Sequence, residues 1–441
     1  MRSSHSLDRL DVAFDDDRLV ADAGLLLPAT LAEHLGLKAL VDEHVRLGPK
    51  PGAANAGDKL LTLVMSVLAG GDCIDDANAL RAGATGRILG FTAKAASTVG
   101  TFLRSFRWGH VRQFDRVSRE LLARAWAAGA GPGAHPFTID LDSTICETYG
   151  LKKEGARHHG YTHVRGYHPL LAIAAGTGEV LMARLREGRA NTARGAAHFL
   201  RETIGRVRYA GASGELTVRA DSGFYASEVV KVCRAMGVRF SITLRLHRSV
   251  QRLIEAIPDD AWTPIPYWLE GGADVAETTY TPFADQPDAA PVRLIVRRVR
   301  PTPGSQLALL TLYDYHAFIT DRDGETLALE ADHRRHAEIE NAIRDLKYGV
   351  ALNHLPSGRF AANGAWLSVC VIAHNLARWT TRLGLGAGIV TTKTLRRRLF
   401  GLVGRLTRSA RRSTLRLPRH WPWRAESLAA LARLRMIPLL A

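Results

Sequence analysis

The stretch from residue 137 to 246 constrains the fold most, because strand-like and helix-like runs alternate there in one order. "FTIDLDSTICETYG" alternates like a strand, and "GYHPLLAIAAGTGEVLMARLREG" predicts two strands joined at a Gly-Thr-Gly turn. A helix in "NTARGAAHFLRETIGRV", a strand at 215–220, a helix near 226–236 and the strand "VRFSITLRL" follow. The order β-β-β-α-β-α-β predicts an α/β fold with a mixed five-stranded sheet and flanking helices.

The chain has 441 residues, more than one hydrophobic core usually holds, so more than one unit is expected. Residues 1–130 are predicted to be helical and to bind DNA, and they end at the Gly/Pro-rich stretch "AAGAGPGAHP" (127–136). The predicted core covers 131–245 and 326–385, a β-rich insertion covers 246–325, and an Arg-rich helical region covers 386–441. Trp262 and Trp268 of the insertion are either buried or free to stack on an unpaired base.

Positive charge is concentrated at the C-terminal end of the chain. The formal net charge is +16, and from Thr391 onward 13 Lys and Arg residues face the single acid Glu426. Such a segment suits a polyanion, of which nucleic acid is the commonest. A solvated basic tail and a contact with an anionic membrane are the alternatives.

The remaining composition favours a protein of the reducing cytoplasm. The four cysteines are widely scattered without a CxxC pair, so neither a disulfide framework nor structural zinc is indicated. The polar N-terminus does not resemble a signal peptide. The apolar run "FAANGAWLSVCVIAHNLARW" is interrupted by Asn363, His374 and Asn375, which predicts a buried helix rather than a membrane span.

Acidic residues lie where the predicted strands end. Asp140 and Asp142 in "IDLDST" are two residues apart, so both point to one face of the first strand. Asp221 in "TVRADSGFY" ends the fourth strand, which the connection rules allow beside the first. Asp221 or Ser222 could instead cap the helix that follows.

A third acid, Glu340, lies on a predicted helix after the insertion. His333, His336, Glu340 and Lys347 recur at helical spacing, so they share one stripe, and Lys347 could hold a DNA phosphate. A surface helix with scattered charge is the alternative. Clustered carboxylates repel one another, whereas two Mg²⁺ ions about 4 Å apart would relieve that repulsion and support phosphodiester chemistry.

These residues resemble the DDE transposases of bacterial insertion sequences, most closely the insertion-sequence 1380 group, related to the insertion-sequence 4 type. The resemblance rests on the order of the acids and on "DLDST", "ADSGFY", "RGYHPLLA" and "HAEIENAIRDLKYG", and it is strongest from 137 to 380. It implies an RNase H-like core, metal-dependent cutting at element ends, and attack of the freed 3′-hydroxyl on target DNA. It also implies a synaptic homodimer, with Mg²⁺ replaceable by Mn²⁺.

Carried over residue by residue, the resemblance makes Asp142, Asp221 and Glu340 the metal ligands, with Asp140 as the alternative first ligand. The family pattern Tyr-x2-Arg-x3-Glu-x6-Lys is half kept. His333 stands at the Tyr position and His336 at the Arg position, with Arg335 as a neighbouring substitute.

Further DNA contacts are expected from two basic segments. "KKEGARHHGYTHVRGYH" offers Lys152, Lys153 and Arg165, while its His residues lack a usual zinc spacing; the C-terminal region offers Arg396, Arg397 and Arg398. Two other functions stay open at this point. One is an RNase H-fold endonuclease that cuts without joining, and the other is a DNA-binding protein with an inactive site.

Overall fold

The computed structural model describes residues 10–267, 271–301 and 313–440. Within these ranges one nine-stranded mixed sheet forms the centre, with two smaller three-stranded sheets beside it. The strands are β1 (Leu19–Val20), β2 (Phe137–Ser143), β3 (Cys146–Glu147), β4 (Arg157–His158), β5 (Arg165–Tyr167), β6 (Leu170–Ala174), β7 (Val180–Arg184), β8 (Leu216–Ala220), β9 (Arg239–Leu244), β10 (Thr263–Ile265), β11 (Ala273–Tyr280), β12 (Val292–Val299), β13 (Asp314–Thr320), β14 (Gly404–Ser409) and β15 (Arg412–Arg416).

Helices cover the sheet and form most of the N-terminal region. They are α1 (Leu26–His34), α2 (Leu37–His44), α3 (Ala56–Ala69), α4 (Ala96–Arg104), α5 (Trp108–Val111), α6 (Gln113–Ala125), α7 (Ala196–Tyr209), α8 (Ser227–Ala235), α9 (Arg248–Glu255), α10 (Thr326–Arg334), α11 (Ile339–Gly349), α12 (Phe360–Trp379), α13 (Thr392–Leu395) and α14 (Arg424–Met436).

The five predicted core strands lie in the order β7-β6-β2-β8-β9. β6 runs antiparallel to β2 and to β7, whereas β8 runs parallel to both β2 and β9. Parallel neighbours need a crossover, and helices α7 and α8 supply the two crossovers into β8 and β9. The predicted RNase H-like core is therefore confirmed.

The insertion extends this sheet instead of forming a separate unit. β13 pairs antiparallel with β9, from Ala317 opposite Leu244 to Thr320 opposite Ser241, and β12, β11 and β10 follow outward. The predicted sheet of five strands is thus a sheet of nine among the described residues. Pairing covers the open edge of β9, whose N–H and C=O groups would otherwise lack strand partners. Trp262 is 9% exposed, as the buried alternative predicted, and Trp268 lies outside the described residues.

Helix α12 joins the N-terminal helices to the sheet. It packs against α1, α3, α4, α5 and α6 and against β7. The apolar core is continuous from Leu25 to Leu434, so the structure does not separate residues 1–130 as an independent unit. Each fully buried Leu, Ile or Val contributes roughly 1.5–3 kcal/mol, which makes this shared helix a main source of stability.

Polar residues of α12 bond to the sheet, as a buried helix requires. The Asn375 side-chain amide accepts from Val180 N–H and donates to Val180 C=O, both at 2.8 Å. It thereby makes both backbone hydrogen bonds that a neighbouring strand would make with this residue of β7. His374 Nε2 donates to Gly178 C=O at 2.8 Å. The straight helical stretch Phe360–Leu385 is apolar and long enough to cross a membrane, and 83% of its most apolar window is buried inside the protein.

The C-terminal region differs from the predicted helical region. It contains the antiparallel hairpin β14–β15, and β14 also pairs with β1 near the N-terminus. Only α13, a π-helical turn at Arg396–Phe400 and α14 are helical there. Leu406 and Leu415 of the hairpin contact the small cluster of Val20, Ala23 and Ala84, and this distant contact stabilises strands that local sequence alone does not indicate.

Candidate functional site

Asp142 and Asp221 leave the sheet side by side. β2 and β8 are parallel, and Leu141 lies opposite Ala220, so the next residue on each strand is an aspartate. Ser143 N–H donates to Asp142 Oδ1 at 2.6 Å, and Gly223 N–H donates to Asp221 Oδ1 at 3.0 Å. Asp221 therefore caps the short 3₁₀ turn Ser222–Phe224 with one carboxylate oxygen, whereas α8, the helix of the capping alternative, begins after Ala226 without a side-chain cap.

The pKa of Asp142 responds to two other acids at this edge of the sheet. Burial is the main cause that raises this pKa to about 6, and the negative charges of Asp221 and Glu340 act in the same direction. The Ser143 N–H and the neighbouring His336 act in the opposite direction. Glu340 lies in the first turn of α11 and is exposed. The structure thus places Asp142 and Asp221 side by side at two strand ends, with Glu340 near enough to act on Asp142 by its charge, although the oxygens of the three acids do not all lie within 4.8 Å of one another.

Asp140, the alternative ligand, has another role. It is 2% exposed, and Arg219 donates to Oδ1 from Nε at 2.8 Å and to Oδ2 from Nη2 at 2.9 Å. His336 Nδ1 also lies 3.0 Å from Oδ1. Both oxygens already accept from Arg219, an arrangement that favours Asp142 over Asp140 as the first ligand. Arg219 Nη1 also contacts Asp332, so this ion pair fastens α10 to the sheet.

The predicted stripe on one helix is interrupted. α10 ends at Arg334, and a 3₁₀ turn from Arg335 to Glu338 precedes α11. The ring nitrogens of His333 lie 2.7 Å from Ser241 Oγ and 3.0 Å from Thr243 Oγ1, and the ring stacks on Phe318. Burial holds the pKa of His333 well below its usual range. Both ring nitrogens of His333 are therefore engaged inside the protein, and the DNA contact expected from its place in the Tyr-x2-Arg-x3-Glu-x6-Lys pattern stays a prediction.

Similarity to known proteins agrees with this geometry. The family model described as "Transposase DDE domain group 1" matches residues 3–439. This chain belongs to that family. The finding confirms the predicted DDE transposase resemblance at the level of the family, while the insertion-sequence 1380 group stays a prediction.

One solved structure similar to this DDE transposase is a cryo-EM structure of the piggyBac transposase synaptic complex with hairpin DNA. The match has a TM-score of 0.45 and 12% sequence identity and covers 86% of this chain and 79% of that chain, a likeness too distant to transfer geometry or function. No curated protein matches the sequence.

Lys347 of the DDE transposase lies close to the acids. Its Nζ donates to Ile145 C=O at 2.8 Å, three residues after Asp142. An ammonium has three hydrogens, so this bond leaves donors for a second partner. The structure therefore places Lys347 beside the segment that follows Asp142, and its phosphate contact stays a prediction. His336 is likewise at the site, although its recorded partner is Asp140.

Among the other predicted DNA contacts, several side chains support the protein's own backbone. Lys153 Nζ donates to Leu355 C=O, and Arg165 donates to the carbonyls of Gly150 and Leu151. Arg396 donates to the carbonyls of Leu68, Val67 and Gly349 and is thus a cap for the C-terminal end of α3, while its DNA contact stays a prediction. Burial lowers the pKa of Arg396.

The remaining predicted contacts are exposed, namely Lys152, Arg335, Arg397 and Arg398. Arg335 is already paired with Glu338 at 3.0 Å. The Arg398 guanidinium lies 5.5 Å from the Trp423 ring centroid. These exposed side chains are accessible to DNA, and their predicted DNA contacts stay predictions.

Sequence analysis missed a supporting pair, Ser143 and His168. Ser143 Oγ lies 2.9 Å from His168 Nε2, and His168 Nδ1 lies 2.8 Å from Ala190 C=O. Burial lowers the pKa of His168 to about 4, so the ring is neutral. A neutral ring donates from Nδ1 to the carbonyl and accepts at Nε2 from the Ser143 hydroxyl, which fixes the residue beside Asp142. The phrase "RGYHPLLA" contained this histidine, but no spacing marked its partner.

Another group of potential metal ligands lies elsewhere. In the described ranges Asp72, Cys73 and Asp76 place ligand atoms within 4.8 Å of one another. Asp76 Oδ2 accepts from the N–H groups of Asp72 and Cys73 at 2.9 and 3.1 Å and from Cys73 Sγ. Because Asp76 stabilises the turn in this way, the cluster has a structural explanation.

Proposed function

We propose that this protein is a DNA transposase that cuts the ends of its element and joins the freed 3′-hydroxyl to target DNA. Water first attacks the phosphorus at the element end and releases a 3′-hydroxyl. That hydroxyl then attacks a target phosphate and displaces the 3′-oxygen of the target strand. The side-by-side position of Asp142 and Asp221 at the ends of β2 and β8, with Glu340 near enough to act on Asp142 by its charge, is the observation that carries the proposal.

The three acids suit divalent cations. Asp142 and Asp221 each use Oδ1 for a backbone N–H, and no hydrogen bond to Oδ2 of either is recorded within the described ranges. The mutual repulsion that raises the pKa of Asp142 is relieved when a dication is bound. Oxygen ligands of this kind favour Mg²⁺, and we propose two Mg²⁺ ions, with Mn²⁺ as a substitute.

When bound, such ions supply a Lewis acid for the phosphate and lower the pKa of the attacking water. The chain's own residues hold the arrangement. Asp142 and Asp221 are fixed by backbone N–H groups at the ends of β2 and β8, and Glu340 approaches from α11. Lys347 retains ammonium hydrogens for a phosphate oxygen beside Ile145. Arg219 neutralises Asp140, so a fourth free negative charge does not oppose the DNA.

We propose further that the protein acts as a homodimer in its synaptic complex and belongs to the bacterial insertion-sequence 1380 group, in a bacterial cytoplasm. The resemblance of the sequence supports these three points. Family membership and a formal net charge of +16 support DNA as the partner.

Cleavage of DNA that carries the element's own ends tests the catalytic proposal. We expect wild-type protein to cut in Mg²⁺ and not in EDTA, and Asp142→Asn, Asp221→Asn and Glu340→Gln to lose cutting. Asp285→Asn, an exposed acid of the insertion, is the matched control and is expected to cut normally. Unchanged cutting by the three site variants would exclude the assignment.

A second assay separates transposition from simple cutting. A pre-cut element end with a free 3′-hydroxyl is mixed with a supercoiled plasmid and Mg²⁺. Joined product is expected from a transposase. Cutting without joining would identify an endonuclease, and DNA binding without cutting would identify an inactive relic.

A further inference from the structure

We propose that the hairpin β14–β15 is a DNA-binding ribbon whose outward face enters a groove of duplex DNA. The inference rests on the proposed function in one respect, since DNA is taken as the partner. It assigns the contact to one face of one hairpin, whereas the sequence indicated only a basic C-terminal region.

The two faces of the hairpin are chemically different. Residues directly opposite each other share a face, and the face alternates along each strand. Leu406 opposite Leu415 faces the cluster of Val20, Ala23 and Ala84, and the exposed pair Arg408–Ser413 follows on the same face toward the turn. The opposite face carries the pairs Arg405–Arg416, Thr407–Thr414 and Ser409–Arg412. One face is thus anchored to the protein, and the other carries arginine and hydroxyl groups outward.

The positive charge of this hairpin lacks matching acids. The segment 404–416 contains five arginines and no Asp or Glu: Arg405, Arg408, Arg411, Arg412 and Arg416. Arg405 pairs with Asp16 at 3.1 Å, and within the described ranges no ion pair is recorded for the other four. All five are exposed. Like charges directly across an antiparallel pair destabilise it, and Arg405 and Arg416 occupy such a pair. A bound polyanion would provide the missing counter-charge.

The shape of the hairpin fits duplex DNA. A major groove about 12 Å wide admits a two-stranded β-ribbon, whose strands are about 4.8 Å apart. β1 pairs with β14 only at Gly404 and Arg405, at the end of the hairpin that is far from its turn. The rest of the hairpin, including the turn, therefore extends past the end of β1. Thr407, Thr414 and the arginines are groups that donate hydrogen bonds to phosphates and base edges.

The test measures DNA affinity against salt, in EDTA and in an Asp142→Asn background, so that it does not depend on cleavage. Each phosphate contact contributes a slope of about −0.9 in log K against log salt. We therefore expect the triple variant Arg405→Ala/Arg412→Ala/Arg416→Ala to have a negative slope that is less steep by about 2.7. Between 50 and 200 mM salt the affinity of the wild-type protein should then fall by about 40-fold more than that of the variant.

Two further variants make the result specific. Arg245→Ala/Arg248→Ala/Arg252→Ala removes the same charge from exposed residues at and before α9, and we expect a much smaller change in slope. Arg405→Lys/Arg412→Lys/Arg416→Lys keeps the charge, and we expect it to keep the slope. Thermal unfolding of each variant confirms that it is folded.

Three results would overturn the inference: an equal change in the α9 control, loss of the slope in the Lys variant, or tighter binding of single-stranded than of duplex DNA of equal length. A failure of the proposed function would give a different set of results. The wild-type protein would not cut DNA in Mg²⁺, but the slope of log K against log salt would still differ between the hairpin Ala variant and the α9 control.

Discussion

Asp140 and Arg219 lie opposite each other on the parallel strands β2 and β8 and form a two-point ion pair that is almost fully buried. On each strand the pair lies two residues before the acid at the site. It fixes Asp140 in a structural role while Asp142, two residues later, keeps a carboxylate oxygen free. Two acids of one motif thus have different functions because only one of them has an arginine across from it.

Breaking this ion pair is expected to destabilise the fold. Arg219→Met leaves Asp140 buried without its partner, and losing one member of a buried pair costs roughly 3–5 kcal/mol. The free energy of unfolding in urea measures the loss. Asp140→Leu/Arg219→Met removes both charges and should recover part of it. A double variant that is no more stable than the single one would contradict this account.

Without metal, the stability of the protein should depend on pH because the pKa of Asp142 is raised in the folded state. The folded-state pKa of Asp142 is about 6, above its ordinary value of 3.8. The unfolded chain therefore ionises first, and the stability contributed by Asp142 declines as pH rises from about 4 through 6. We expect Asp142→Asn to raise the melting temperature in EDTA at pH 8 and to leave it unchanged at pH 4.

Magnesium supplies the complementary measurement. At pH 8 it should raise the melting temperature of the wild-type protein, because a ligand that binds only the folded state stabilises it. Asp142→Asn should lose this shift, and Asp285→Asn should keep it. A full shift in Asp142→Asn would place the ions elsewhere.

The His168–Ser143 pair should act on the site through position. We expect His168→Ala to reduce cleavage by about 10- to 100-fold, the usual effect of removing a group that orients a metal ligand. A positioning role predicts that more Mg²⁺ is needed for half-maximal rate, which general destabilisation alone would not produce. The exposed His198→Ala is the control. An unaltered Mg²⁺ requirement in His168→Ala would refute the role.

Glu179 should stabilise the contact between the N-terminal region and the sheet. The indole N–H groups of Trp126 and Trp379 both donate to this buried carboxylate. Glu179→Ala leaves both N–H groups without an acceptor, at about 1–3 kcal/mol each. Glu179→Gln keeps one acceptor oxygen and should lose less. Urea unfolding followed by Trp fluorescence compares the two, and equal losses would argue against this bonding.

The sequence was sufficient for the core and for the position of Asp142 and Asp221 at strand ends, because strand ends, turn residues and alternation are local signals, while the role of the three acids stays a prediction. The sequence was insufficient where strand pairing or side-chain burial depends on segments that are distant along the chain. The pairing of β13 with β9 and of β14 with β1 depends on which edges remain open. The burial of His333 against Ser241 and Thr243 also depends on tertiary contacts, although its helical spacing placed it in the stripe of Glu340. Arg219, a charge inside the apolar run "LTVRA", was a local signal of a buried ion pair.

Helix α12 also limits how an element of this kind can evolve. Because the same helix packs against β7 and against five of the first six helices, a recombination event that replaced only residues 1–130 would expose an apolar face with no matching cover. New end specificity would then arise more easily by substitution on the surface than by exchange of whole segments.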